Sequence, residues 1–125
     1  MAKPTVYGIP QSTYVRTVRL LLEEAGIEYD LKPVDIFNGE TQSPEYLAKN
    51  PFGKVPTVEV EGETLYETSA ITDYLNTALA NNKFSLPTPM LQARMRQIMA
   101  IIDSYFYEPA VKAIVIQRLI HYSCR

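Results

Sequence analysis

The chain has 125 residues, 46% of them hydrophobic and 21% charged, with a formal net charge of -2 and one cysteine. This is the composition of an ordinary soluble globular protein: one compact domain, or one small domain plus a fragment. It excludes a disordered chain, a disulfide scaffold and a strong electrostatic binder of nucleic acid. His121 and Cys124 are the sole histidine and cysteine, too few for a zinc site, so no metal is expected. Met1-Ala2-Lys3-Pro4 opens no signal-peptide core, and no apolar run is long enough to span a bilayer. A cytoplasmic protein with no membrane or nucleic-acid partner is the expectation.

Thr5-Val6-Tyr7 reads as a short strand stopped by Gly8 and Pro10. Ser12 then opens a helix with Val15, Val18, Leu22 and Ala25 on one face and Gly26 at its C-cap. Ile27, Tyr29 and Leu31 alternate with charged residues at strand spacing. Residues 35–42 read as loop. Ser43-Pro44-Glu45 starts a short helix that Asn50-Pro51 ends. Thr57–Val60 and Thr64–Tyr66 read as a hairpin turning at Gly62, and Thr68 opens a third helix ended by Asn81-Asn82. The order is βαβ-α-ββα, an α/β domain over residues 1–80 with a mixed four-stranded sheet. Residues 81–89 form a linker. Residues 90–125 form a partial helical domain, its long helix starting at Thr88-Pro89 and running to about residue 122.

Asn50-Pro-Phe-Gly-Lys-Val-Pro-Thr57, followed by Leu65-Tyr-Glu-Thr-Ser-Ala-Ile-Thr-Asp-Tyr-Leu75, resembles the glutathione-binding signature of cytosolic glutathione transferases. Tyr7-Gly-Ile-Pro-Gln-Ser12 resembles the active-site segment of serine-type members, close to the phi class and its bacterial relatives. The resemblance implies a thioredoxin-like fold for the N-terminal domain and glutathione as substrate. The implied reaction is attack of its thiolate on a small hydrophobic electrophile, by a homodimeric detoxifying enzyme.

The resemblance also implies site residues, each of which has a plainer structural reading. Val55-Pro56 corresponds to the cis X-Pro bond of that fold, leaving the Val55 main chain to pair with an extended peptide. By itself it is a proline that starts an edge strand. Glu67 and Thr68 open the third helix, where free N–H groups would hold the γ-glutamyl carboxylate and Glu67 its ammonium. Alone, Thr68 is an N-cap. Ser12 would donate to the glutathione sulfur as the catalytic hydroxyl, with Tyr7, Thr13 and Tyr14 as rivals; alone, it too is an N-cap. A phi-like chain carries a His-Lys pair before the second helix, where this one has Thr41-Gln42. Gln42 and Lys54 are therefore the candidates for the glycine end of glutathione.

Pro109 predicts a kink near residues 105–109, and Ala110–Ile120 is apolar nearly all round. Family members continue into a bundle of several helices, so the expectation is a truncated helical domain with exposed apolar surface. The alternative to an enzyme is then a non-catalytic glutathione-binding or dimerisation module. A thiol-disulfide oxidoreductase would need a cysteine where Ser12 stands.

Overall fold

A computed structural model describes residues 3–123, so Cys124 lies outside the described residues. Strand β1 (Thr5–Tyr7) leads into helix α1 (Thr13–Ala25), followed by β2 (Asp30–Lys32), α2 (Pro44–Leu47), β3 (Thr57–Val60), β4 (Glu63–Tyr66) and α3 (Thr68–Tyr74). The sheet order is β2-β1-β3-β4, with β1 parallel to β2 and antiparallel to β3. This is the expected βαβ-α-ββα arrangement with a mixed four-stranded sheet.

Local chemistry sets each boundary. Ser12 caps α1 by accepting from the Val15 N–H at 3.4 Å. Gly26 closes it in the left-handed conformation, donating to Glu23 and Leu22, and the Ile27 N–H also returns to Leu22. That last bond shortens β2 relative to the expected run from Ile27. Residue 27 still belongs to the helix terminus, and strand pairing begins where Asp30 N–H donates to the Pro4 carbonyl at 2.9 Å. The loop expected over 35–42 tightens into a 3-10 turn at Glu40–Gln42. Ser43 caps α2 through the Tyr46 N–H. Glu61 and Gly62 both take positive φ, the signature of a two-residue hairpin turn that follows the twist of its strands. After α3 the chain widens into a π turn, Leu75–Leu79, and then leaves the helix at Asn81 and Asn82 with φ of 51° and 59°. Asparagine tolerates that region better than most side chains.

The faces of the sheet differ because strand side chains alternate. Val6 and Val58 lie opposite each other and point towards α1 and α3, where they meet Val15, Val18, Leu22, Ile71 and Leu75. All seven are fully buried. Burial of such side chains contributes roughly 1.5–3 kcal/mol each, and this cluster is the main source of stability. Tyr7, Thr57 and Glu59 point the other way. The Tyr7 hydroxyl donates to Glu59 Oε2 at 2.8 Å, Lys49 pairs with the same carboxylate, and Lys49 Nζ lies 4.9 Å from the Tyr7 ring centre.

The chain divides into two compact units, Met1–Phe84 and Ser85–Arg125. In the second, Thr88 caps α4 (Pro89–Ile101). Wide π-type turns follow at Ile102–Phe106 and Glu108–Ile116, and then α5 (Gln117–Ser123). The irregularity expected at Pro109 takes this form: a proline lacks the N–H and collides with the carbonyl four residues back, and a five-residue turn moves that carbonyl.

Leu22→Ala leaves a void in the core and is expected to lower stability by about 2–5 kcal/mol, read as a urea midpoint shift without a change in slope. The Lys49 hydrogen bond, opposed by burial and aided by Tyr7, holds the Glu59 carboxyl below its ordinary value. Its stabilisation is therefore full above the unfolded carboxylate range and lost as pH falls through the folded value. Glu59→Gln should reduce stability at pH 7 by up to about 1 kcal/mol. That difference should shrink in urea titrations carried out below about pH 4.

Candidate functional site

Strand register gathers three separate segments. Tyr7 lies opposite Thr57, and Thr57 lies opposite Tyr66. The chain leaving β1 towards Ser12, the chain entering β3 through Val55-Pro56, and the chain leaving β4 into Glu67-Thr68 thus meet at one end of the sheet.

Ser12 is half-buried at the N-terminus of α1. Its Oγ uses a lone pair on the Val15 N–H, which leaves the hydroxyl proton to donate elsewhere. The segment before it is pinned twice: the Ser12 N–H donates to the Ile9 carbonyl at 3.2 Å, and Arg16 Nε donates to the Pro10 carbonyl at 2.8 Å. Of the rival hydroxyls, Tyr7 donates to Glu59 on the sheet face away from α1. Thr13 is exposed, and Tyr14 is half-buried.

The Val55-Pro56 bond is cis. Pro56 is buried, Val55 half-buried against the core, and Lys54 exposed. The preceding turn is held from inside the protein. The Lys54 carbonyl accepts from the Tyr46 hydroxyl at 2.5 Å and from Asn50 Nδ2 at 2.9 Å. Tyr46 and Asn50 also meet Thr57 Oγ1, at 2.8 and 3.3 Å, and Asn50 Oδ1 accepts from the Phe52 N–H. Tyr46, Asn50 and Thr57 are 4%, 1% and 0% exposed, so this is a satisfied polar cluster in the interior. Burial, opposed by the bond to Thr57, raises the Tyr46 pKa and keeps the phenol a neutral donor.

Gln42 lies over this turn. Gly53 has φ of 61°, and a Cβ there would strike Gln42 Nε2 and come within 2.9 Å of the Thr41 carbonyl. The glycine thus admits the Gln42 amide against the turn at residue 53. Thr41 itself is buried.

Glu67 precedes α3 with φ of 74° and ψ of 116°, and its side chain makes no cap. The cap position belongs to Glu67 and not, as the sequence suggests, to Thr68, which is the first helical residue. A hydroxyl favours the cap, but the chain turns into the helix one residue earlier. A non-glycine residue held at positive φ stores backbone strain of order 1–3 kcal/mol, a feature that clusters at ligand sites.

Tyr46 and Arg16 carry no motif that marks them in the sequence, and Asn50, the first residue of the signature, reads there as a helix stop with no role of its own assigned. The available signal for Tyr46 and Asn50 is their spacing of four: Tyr46 lies on α2 and Asn50 just past its end, where the Asn50 N–H donates to the Tyr46 carbonyl at 2.9 Å. Among the described residues no group of three or more His, Cys, Asp or Glu is placed to hold a metal, and no helix is long and apolar enough to cross a membrane.

Comparison with known proteins agrees with this geometry. The family profile for the glutathione S-transferase N-terminal domain matches residues 2–77. Glutathione S-transferase 3 of maize is 31% identical over 120 residues, covering 96% of this chain and 54% of the maize protein. A probable glutathione S-transferase of rice, GSTF2, is 35% identical over 122 residues, with 96% and 55% covered. Among solved structures, poplar glutathione transferase F1 superposes with a TM-score of 0.76 at 36% identity, over 87% of this chain and 52% of that one. A glutathione transferase homologue from Sulfitobacter, solved with bound glutathione, gives 0.81 at 32% identity over 94% and 57%. The chain spans about half the length of the relatives it matches. With the profile covering most of the chain and the sheet topology in agreement, the chain belongs to the glutathione S-transferase family through its N-terminal domain.

Proposed function

We propose that this chain binds glutathione at the end of the sheet where β1, β3 and β4 converge, and activates its thiol for attack on a small hydrophobic electrophile. The observation that carries the reading is the register that brings Ser12, Val55-Pro56 and Glu67-Thr68 to one end of the sheet. Thr68 and the first N–H groups of α3 hold the γ-glutamyl carboxylate, and Glu67 accepts from its ammonium. The Val55 main chain pairs with the cysteinyl residue as an added strand. Lys54 and Gln42 take the glycyl carboxylate.

The sulfur then lies near the Ser12 hydroxyl and the positive end of α1. A free thiol has a pKa near ~8.5, so little is ionised at neutral pH. A hydroxyl donor and a helix N-terminus both favour the thiolate. A drop of about two units requires about 2.7 kcal/mol of differential stabilisation. The thiol proton leaves to solvent and the thiolate forms the new C–S bond; in a substitution the leaving group departs with its bonding pair, and in an addition the π pair moves onto the electrophile, which then takes a proton from solvent. Ser12 remains a hydrogen-bond donor throughout, not a nucleophile. The Tyr7 hydroxyl, engaged by Glu59, supports Ser12 over Tyr7 for this task. Glutathione is the only cofactor in this reading, a co-substrate, and the location is cytoplasmic.

A second reading, a non-catalytic glutathione-binding or dimerisation module, is favoured by the Ser85–Arg125 unit. No residue from Pro89 to Ile116 is buried, and Met90, Ile98 and Tyr105 are 66%, 59% and 76% exposed. Apolar surface of that extent favours a homodimer.

Thiolate absorbance of bound glutathione, titrated against pH, tests the first reading. Wild type should show a pKa lowered by about two units. Ser12→Ala should return it by at least about one unit, equivalent to ~1.4 kcal/mol, while still binding the peptide. An ordinary thiol pKa in the wild-type complex sinks the proposal. Sedimentation should show a dimer whose population rises with concentration; a clean monomer at high concentration would rule the homodimer out.

A further inference from the structure

The buried Tyr46–Asn50–Thr57 cluster lies beside the proposed glutathione site but touches no surface that a ligand could reach. Two of its members, Tyr46 Oη and Asn50 Nδ2, donate to a single acceptor, the Lys54 carbonyl, at 2.5 and 2.9 Å. Thr57 Oγ1 braces the two donors against each other at 2.8 and 3.3 Å. One carbonyl with both lone pairs engaged by interior donors has its direction fixed.

That carbonyl belongs to the Lys54–Val55 peptide. The plane is trans, since the cis bond lies one residue further on. In a trans peptide the C=O and N–H point opposite ways. Drawing the Lys54 oxygen into the protein therefore turns the Val55 N–H outward, on the side where Lys54 is exposed. We propose that Tyr46 and Asn50 are positioning residues that aim the Val55 N–H at the ligand's main-chain carbonyl. The inference rests on the glutathione reading above and adds to it the source of the site's affinity for a peptide backbone. Orientation is set in advance by groups whose hydrogen bonds are already made, so binding orders no loop.

The same cluster also contributes to stability, so loss of binding alone would not separate the two roles. A comparison of two ligands does. Glutathione offers its cysteinyl carbonyl to the Val55 N–H. An isostere with an (E)-alkene in place of the Cys–Gly amide offers no acceptor there. Calorimetric titration of wild type should show glutathione bound about tenfold more tightly than the isostere, a difference of ~1.4 kcal/mol. Tyr46→Phe keeps the ring and removes one donor. It should weaken glutathione severalfold, leave the isostere unchanged, and so reduce the discrimination. Asn50→Ser removes the other donor and is read in the same way if the first variant does not fold.

Equal weakening of both ligands, or no weakening of either, would overturn the positioning role. A wild type that binds neither ligand would instead overturn the glutathione reading, and this proposal with it. A wild type that binds glutathione while the variants discriminate as well as it does would overturn this proposal alone.

Discussion

The antiparallel pairing of β1 with β3 is the contact on which the rest of the structure depends. It sets Val6 against Val58 and Tyr7 against Thr57 in adjacent steps. The valine pair seals the core with α1 and α3. The Tyr7–Thr57 pair faces the opposite side of the sheet, where the Tyr7 hydroxyl meets Glu59 and Thr57 meets Tyr46 and Asn50. A slip of β3 by one residue would turn Thr57 and Glu59 towards the core and Val58 away from it. The register that makes the core is thus the register that makes the site.

Much of this is legible in local patterns. The apolar positions of α1 at Val15, Val18 and Leu22, its Ser12 and Gly26 caps, the Pro44 start of α2 and the hairpin at Gly62 all act over a few residues. Local spacing is less informative where a bond reaches back into the previous element. Ile27 alternates like a strand residue, yet its N–H closes the helix on Leu22. The π turn after α3 likewise has no mark in a short window, whereas the one at Glu108–Ile116 is signalled by Pro109.

The segments around the site are marked by motif, but what holds them is not. Asn50 and Thr57 stand at the two ends of the signature, but only the fold shows them at 1% and 0% exposure and bonded to each other and to Tyr46. Their partners lie in other elements, so neither composition nor period reveals the pairing. The same holds for Arg16, whose hydrogen bond to the Pro10 carbonyl steadies the approach to Ser12. A buried polar group is informative because leaving it unpaired is so unfavourable. That information exists only once the chain is folded.

The β1–β3 register also bears on the order of folding. The β3–β4 hairpin closes through a two-residue turn and can form locally, whereas the Tyr7–Glu59 bond joins residues 52 apart in sequence. Pairing at that separation bears the entropy of a large loop before any core contact rewards it. Ser12 follows one partner strand and Val55 precedes the other, so the two sides of the site come together only when this long-range pairing forms. The hairpin alone joins Val55-Pro56 to Glu67-Thr68 but leaves Ser12 out. A ligand that spans the two strands binds the folded state alone, and its whole affinity then counts towards holding that state together.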